Sequence, residues 1–279
     1  MLVVVRGAGD IATGTIHRLH RCGFKVMGLE VENPSAIRRE VSFSEAIYEG
    51  VTLIEGVIGR RAKTLEEINK AFERGEVPIV VDRDGVWIER LKPHVVVDGI
   101  LAKRNLGTSK DMAPITIGLG PGFVAGRDVD IVIETMRGHD LGKLIFSGKA
   151  MENTGTPGLI GGVSKERVIY SENSGIFRDG LKIGSQVMKG DILGYIDDTP
   201  LLAPIDGVLR GIIRDGFLVK KRFKIGDIDP RREEEKNSFT ISDKARALGG
   251  SVLEGILYLH CLRGKENGKG YIREIKFRG

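Results

Sequence analysis

The chain has 279 residues, of which 41% are hydrophobic and 29% charged, with a formal net charge of +5. That suffices for two or three ordinary domains with real cores, and no apolar run approaches the roughly 20 residues of a membrane span. The basic residues are scattered and 6% of the chain is aromatic; this favours anionic small ligands or an acidic partner protein and argues against a nucleic-acid or membrane partner.

Leu2-Val3-Val4-Val5 reads as a buried strand, Gly7-Ala8-Gly9-Asp10-Ile11-Ala12-Thr13 as a turn into a helix, and Lys25 to Glu30 as a second strand. Each part suits a dinucleotide, the alternative being a Rossmann-like scaffold whose turn holds another phosphate compound or nothing. Gly7 turns the backbone sharply, Gly9 lets a phosphate approach the main chain, and Ala12 lets helix and strand pack closely. The helix start with its free N–H groups is an anion site. Glu30 follows Gly9 by 21 residues, the distance at which a carboxylate takes a ribose hydroxyl. Asp10 would repel an anion there unless it caps the helix, and the cap is the preferred reading. Val3–Val5 is too short for a signal-peptide core, so a cytoplasmic location is expected.

Asn33-Pro34 reads as a turn, and Ser35 to Tyr48 has a helix-like period. Arg38 and Arg39 there would clamp a phosphate or lie on a solvated face. A strand is expected at 51–58, then a helix from Thr64 with Thr64 and Glu67 at capping-box spacing, and strands at 77–82 and 95–100. This alternation implies a mostly parallel sheet and a Rossmann-like domain over residues 1–104. Cys22 and Cys261 show no ligand spacing, so no metal site is expected. Both read as small buried residues, and Cys22 would carry sulfur or selenium only if exposed with a lowered pKa.

Residues 105–165 form a central β-rich segment. Strands are expected at 115–118 and 130–135, followed by Gly118-Leu119-Gly120-Pro121-Gly122-Phe123 and by Met136-Arg137-Gly138-His139. Gly120 and Gly122 would admit a ligand, Arg137 would grip an anion, and His139 would transfer protons. A polar turn is expected at 153–158.

An internal repeat follows: Tyr170–Asp197 shifted by 32 residues falls on Leu202–Asp229 without a gap. Each copy has short strands and cannot bury its apolar face alone. The pair resembles the barrel-sandwich hybrid of biotinyl and lipoyl carriers, over residues 166–232. Carriers present a lysine between the halves; here stands Asp197-Asp198-Thr199-Pro200, so a structural or docking role is left. Residues 233–279 hold a helix over 241–262, capped by Ser242 or Asp243, whose Gly249-Gly250 pair implies close packing on another backbone. A polar turn and a last strand end the chain. The expected fold class is therefore α/β: a Rossmann-like domain, a central mostly-β segment, and a barrel-sandwich-hybrid domain with a C-terminal helix.

Several stretches carry a family resemblance: Arg6 to Gly14, His17-Arg18-Leu19, Ala36 to Arg39, Ser42 to Ala46, Gly120 to Phe123, Glu134 to His139, Asn153-Thr154-Gly155, Lys224 to Arg231 and Ile241 to Ala247. In these the chain is similar to the YqeB-type proteins, described as accessory factors of selenium-dependent molybdenum hydroxylases, and in role to XdhC-like factors. The resemblance implies an accessory maturation protein. It would bind a nucleotide-type ligand or molybdenum cofactor at Gly7–Thr13, close Gly120, Gly122, Arg137 and His139 over it, and serve a molybdenum hydroxylase apoenzyme. The alternatives are an NAD(P)-dependent oxidoreductase, with Glu30 on the ribose and His139 as acid–base group, and a non-catalytic docking scaffold. No nucleophile is identified.

Overall fold

The computed structural model describes residues 1–152, 155, 158 and 161–266. The expected turn at 153–158 and the expected tail elements at 265–277 fall largely outside these. The elements are β1 (Leu2–Arg6), α1 (Asp10–Arg21), β2 (Lys25–Glu30), α2 (Ala46–Glu49), β3 (Val51–Ile54), β4 (Val57–Ala62), α3 (Leu65–Glu73), β5 (Val77–Val81), α4 (Val86–Leu91), β6 (Val95–Asp98), β7 (Ile115–Leu119), β8 (Ile131–Ile133) and β9 (Leu144–Ile145). The second lobe holds β10 (Val168–Tyr170), β11 (Gly175–Arg178), β12 (Gln186–Val187), β13 (Ile192–Ile196), β14 (Thr199–Leu202), β15 (Gly207–Ile212), β16 (Leu218–Val219) and β17 (Lys224–Asp229). The long helix α5 (Asp243–Glu266) follows.

Strands β1 to β9 form one nine-stranded sheet in the order β3-β4-β5-β2-β1-β6-β7-β8-β9. Its interior pairs are parallel, and an antiparallel hairpin, β3 on β4 and β9 on β8, closes each edge. Strand alternation sends β1 side chains to both faces. Val3 and Val5 join Ile16, Leu19, Phe43 and the α5 residues Leu248, Val252 and Ile256. Val4 joins Met27, Ile68, Ile88 and Val96 on the other face. The sheet thus runs past residue 104 and takes in β7, β8 and β9. The helix that covers this extension is α5, from the far end of the chain: a Cβ at Gly255 would touch Ile117, Ile131 and Leu144.

The second lobe has two four-stranded sheets, β10-β17-β15-β12 and β14-β13-β11-β16. Each takes a strand from the opposite repeat copy: β12 pairs with β15, and β16 with β11. Between them lie Phe177, Leu193, Leu209, Val219, Ile225 and Ile228. The expected fold class is accordingly corrected. A mixed nine-stranded α/β sheet that absorbs the central segment stands in place of a Rossmann-like domain followed by a separate β segment. It is joined to two small antiparallel sheets, and the barrel-sandwich-hybrid assignment is not kept.

Residues 35–48 do not form the expected helix. They make two short 3-10 turns, Arg39–Val41 and Phe43–Glu45, and the single turn α2. The segment is used instead to join the lobes. Ile212 donates to the Ile37 carbonyl at 2.9 Å, Arg39 Nε donates to the Ile212 carbonyl at 3.0 Å, and Arg214 pairs with Glu45 at 3.0 Å and with Glu49. A Cβ at Gly211 would lie 2.8 Å from the Ile37 carbonyl oxygen, so only glycine allows this approach. The expected strand over 51–58 is the hairpin β3–β4, turning at Glu55-Gly56 with positive φ at both.

Candidate functional site: a basic cleft at the strand ends

Beyond the carboxyl ends of β1, β2, β6 and β7 lies a cleft of about 1100 Å³. That is slightly above the range of roughly 300–1,000 Å³ for small-molecule and cofactor sites. The sequence turns from β1 to β2 on one side and to β6 on the other, and open α/β sheets receive ligands outside the strand ends at such a switch. One wall is Gly7, Gly9, Asp10 and Glu30; the facing wall is Arg167, Arg210, Lys224 and Asp227 from the second lobe; the head of α5 adds Ser242 and Lys244.

The glycine turn is built as its sequence implies in part. Gly7 has φ +91°, and a Cβ there would meet Gly99 and Ile100 backbone at 3.1 Å. Gly9 is the residue before α1, and nothing lies within 4 Å of where its Cβ would stand. The first four N–H groups of a helix lack intrahelical acceptors, so those of Gly9, Asp10, Ile11 and Ala12 head the cleft beside the positive end of the α1 dipole. Thr13 is buried below. Its hydroxyl donates to the Ala8 carbonyl at 3.1 Å and accepts from Phe43 N–H at 2.9 Å, so it fixes the turn and does not face the cleft. Ala8 is likewise fully buried.

Glu30 is at the turn but is already engaged. Its carboxylate accepts from Ala8 N–H at 2.8 Å and Val31 N–H at 2.9 Å. Burial pushes its pKa up, and those two bonds pull it back only in part. The expected Asp10 cap is corrected: Gly9 holds the cap position of α1 and Asp10 is the first helical residue. The Asp10 carboxylate instead pairs with Arg38 at 3.0 Å. Arg38 is 3% exposed, and its Nη2 donates to the carbonyls of both Asn237 and Thr240 at 2.9 Å each. Beneath the turn, buried Arg6 and Asp98 share the Thr108 hydroxyl and tie β1 to β6.

The later loops contribute unequally. Arg137 lines the cleft and forks onto Asp243 at 2.9 and 3.0 Å. This hydrogen bonding holds the Asp243 carboxyl down to about 2. Glu134 accepts from Met136 and Met151 N–H at 2.7 Å each and braces the loop. Gly120 and Gly122 are corrected as ligand contacts: a Cβ at Gly120 would strike the Thr135 side chain, and at Gly122 the Arg104 backbone. They serve internal packing, and Pro121 between them reaches the cleft. His139 is exposed and not on the cleft wall, so the structure does not bring it to Arg137's side of the ligand space. Cys22, expected buried, is exposed just past the last residue of α1. A 12-residue helix is about 18 Å long, so it sits far from the turn.

Sequence reasoning passed over the facing wall. Asp227 pairs with Arg167 and, at 3.0 Å, with Arg210. Lys224 and Lys244 face the cleft with no salt-bridge partner among the described residues. Lys224 is open to the cleft yet surrounded by protein, and desolvation pushes its pKa down; the same cause lowers Lys244. A signal was present in the repeat. The 32-residue shift puts Lys224 on Ile192 and Asp227 on Tyr195, so one copy is charged where the other is not. Among the described residues no cluster of His, Cys, Asp and Glu is placed to hold a metal ion, and no helix is long and apolar enough to cross a membrane.

Fold and cleft together define a mixed α/β chain with a basic cleft between two lobes. No family model matches it. The chain is a relative of the Escherichia coli (strain K12) protein described as "Uncharacterized protein YqeB", 52% identical over 259 residues. The match covers 92% of this chain and 48% of that protein, so the chain spans about half the length of this YqeB relative. Similar solved structures include the product-bound ectoine utilization protein EutE (DoeB) from Ruegeria pomeroyi, at 14% identity and a TM-score of 0.24 over 81% of this chain and 84% of that one. Another is a succinylglutamate desuccinylase from Silicibacter sp. TM1040, at 13% identity and 0.24 over the same shares. At these scores the likeness carries no argument.

Proposed function

We propose that this chain is an accessory maturation protein for a molybdenum hydroxylase, selenium-dependent as the family resemblance implies. In this reading it receives a nucleotide or a molybdenum-cofactor-type ligand at the head of α1. The observation that carries the binding half is the empty space around Gly9, where the helix-start N–H groups, which have no intrahelical acceptor, open into a cleft of about 1100 Å³. That space fits a phosphate approaching main chain, and its walls hold more basic than acidic side chains. The hydroxylase half rests on the motifs shared with the YqeB-type proteins. The oxidoreductase reading has less support, because Glu30 is engaged by main-chain N–H groups and His139 stands off the cleft wall.

The test is titration of the purified chain with molybdenum cofactor, ADP and NADH, followed by heat or ligand fluorescence, with Gly9→Trp in parallel. Gly9 has ordinary negative φ and open surroundings, so the variant should fold. Binding of molybdenum cofactor or ADP that is lost in Gly9→Trp supports the proposal. Tighter binding of NADH than of either would replace it with the oxidoreductase, and no binding of any ligand would leave a docking scaffold.

A further inference from the structure

The facing wall of the cleft has a charge, Lys224, that the first copy of the repeat does without. Repeat-related positions share a backbone role, and Ile192 fills in the first copy the place that Lys224 holds in the second. The lobe therefore folds with an apolar residue there. Lys224 is the first residue of β17 and Lys244 the second of α5; both line the cleft, and neither has an ion-pair partner among the described residues. Behind Lys224, Arg167 and Arg210 share the single carboxylate of Asp227, which leaves that group with one net positive charge. Asp10, at the head of α1, is near enough to favour the charged form of each lysine. The two lysines thus stand across the same space from the glycine turn.

From this we infer a second anion subsite, formed by Lys224 and Lys244 with the Arg210–Asp227–Arg167 group behind it. The ligand is then a nucleotide with a chain of phosphates, or an equivalent second anionic group, that spans from the α1 head to the second lobe. One phosphate takes the N–H groups at Gly9 to Ala12, and the remote one takes the lysines. A single lysine beside bulk water would be a weak, solvated contact; here both ammonium groups are held within a cleft and partly stripped of water, so an anion meets them at reduced screening. The inference rests on the nucleotide reading of the cleft and adds the number and spacing of charges on the ligand.

The experiment is calorimetric titration of the full chain with AMP, ADP and ATP, without added metal, in the wild type, Gly9→Trp, Lys224→Met/Lys244→Met and Lys224→Arg/Lys244→Arg. In the wild type, affinity should rise at least tenfold from AMP to ATP. The methionine pair should abolish that rise while leaving AMP binding within a few-fold, and the arginine pair should restore it. A rise from AMP to ATP that survives the methionine pair would overturn the second subsite while nucleotide binding stands. Equal affinity for all three in the wild type would overturn it too. Absence of all binding, or binding unaffected by Gly9→Trp, would instead remove the nucleotide reading on which it rests. Thermal melting separates these results from misfolding: Gly9→Trp should melt near the wild type, and the lysine variants no lower than it, because among the described residues neither lysine has an ion-pair partner to lose and removing a desolvated charge does not weaken the fold.

Discussion

Gly14 on α1 and Gly249 on α5 meet where the two helices cross, and alanine there tests whether that crossing is as close as it appears. A Cβ at Gly14 would stand 2.4 Å from the Ala245 carbonyl oxygen and 2.7 Å from the Ala245 Cβ. Ordinary contact begins about 1 Å further out, so the helices must separate by roughly that much. The obstacle is helix backbone, which cannot rotate away like a side chain. Overpacking of this kind costs about 1–3 kcal/mol. Separation also loosens Leu248, Val252 and Ile256, all fully buried between α5 and the sheet. Against this, alanine in place of glycine favours a helix by about 1 kcal/mol. We expect Gly14→Ala to lose about 1–2 kcal/mol net, the loosened core residues adding to the overpacking that outlasts the propensity gain. The control is Gly250→Ala, on the partner helix α5 with nothing within 4 Å of the added methyl. It should keep the propensity gain and become more stable by about 0.5–1 kcal/mol. Urea unfolding followed by far-ultraviolet circular dichroism reads both, with an unchanged m-value as the check on the comparison. If Gly14→Ala proves as stable as Gly250→Ala, the helices do not pack as described and the position of the α5 head beside the cleft loses its support.

Acid titration reads the Arg137–Asp243 fork. The folded pKa of Asp243 is depressed to about 2, so its stabilisation is present above the ordinary carboxylate value and is lost as pH falls through about 2. Both partners are partly exposed, so the contribution is about 0.5–1 kcal/mol. Wild type should exceed Asp243→Asn in urea midpoint at pH 6 and lose that margin by pH 2; a constant margin refutes the pairing. Alkaline titration reads the lysines. Their folded pKa values lie below the ordinary 10.5, so the unfolded chain holds more protons between the two values and stability rises with pH across that window. The methionine pair should flatten this rise; an equal rise in both proteins would show that other groups cause it. Arg38→Ala should cost about 2–4 kcal/mol, since it leaves Asp10 and two carbonyls unpaired. Arg38→Met with Asp10→Leu should recover part of that loss, and a double variant no better than the single would refute the pairing as the cause.

What the sequence made legible was local. Leu2 to Glu30 sets its own strand, turn, helix and strand because β-branched runs, positive-φ glycine and a helical period act within a few residues of one another. Thr64 caps α3 for the same reason, its hydroxyl accepting from Glu67 N–H, while the Glu67 carboxylate reaches one residue further back, to Lys63 N–H. The misreadings came where a distant segment supplied the partner. No helix follows β7 in sequence, so the chain there looked like a separate β segment; the helix that covers β7 and β8 is α5, more than a hundred residues on. Residues 35–48 have a helical period, but Phe43 and Ile47 are drawn into the sheet core while Arg38 and Arg39 reach the carbonyls of residues 212, 237 and 240, and two short turns satisfy these pulls where one helix could not.

The cleft follows the same logic. Its near wall is the turn that the sequence announces, and its far wall comes from the second copy of a repeat whose period hides it. A repeat is read by what its copies share, and the shared residues, such as Leu193 with Ile225 and Ile196 with Ile228, are those that fill the core between the two small sheets. Function must then lie where the copies part. Ile192 and Tyr195 against Lys224 and Asp227 are such positions, and the structure turns the charged pair toward the head of α1. The unequal copies are therefore the part of the sequence that separates a lobe that merely packs from a lobe that closes a site. Exchanging Lys224 for the isoleucine of its counterpart should leave the fold intact and weaken ATP more than AMP, because the substitution restores the repeat while removing the charge. Equal loss for both nucleotides, with unchanged melting, would mean that the divergence of the copies has no bearing on the ligand.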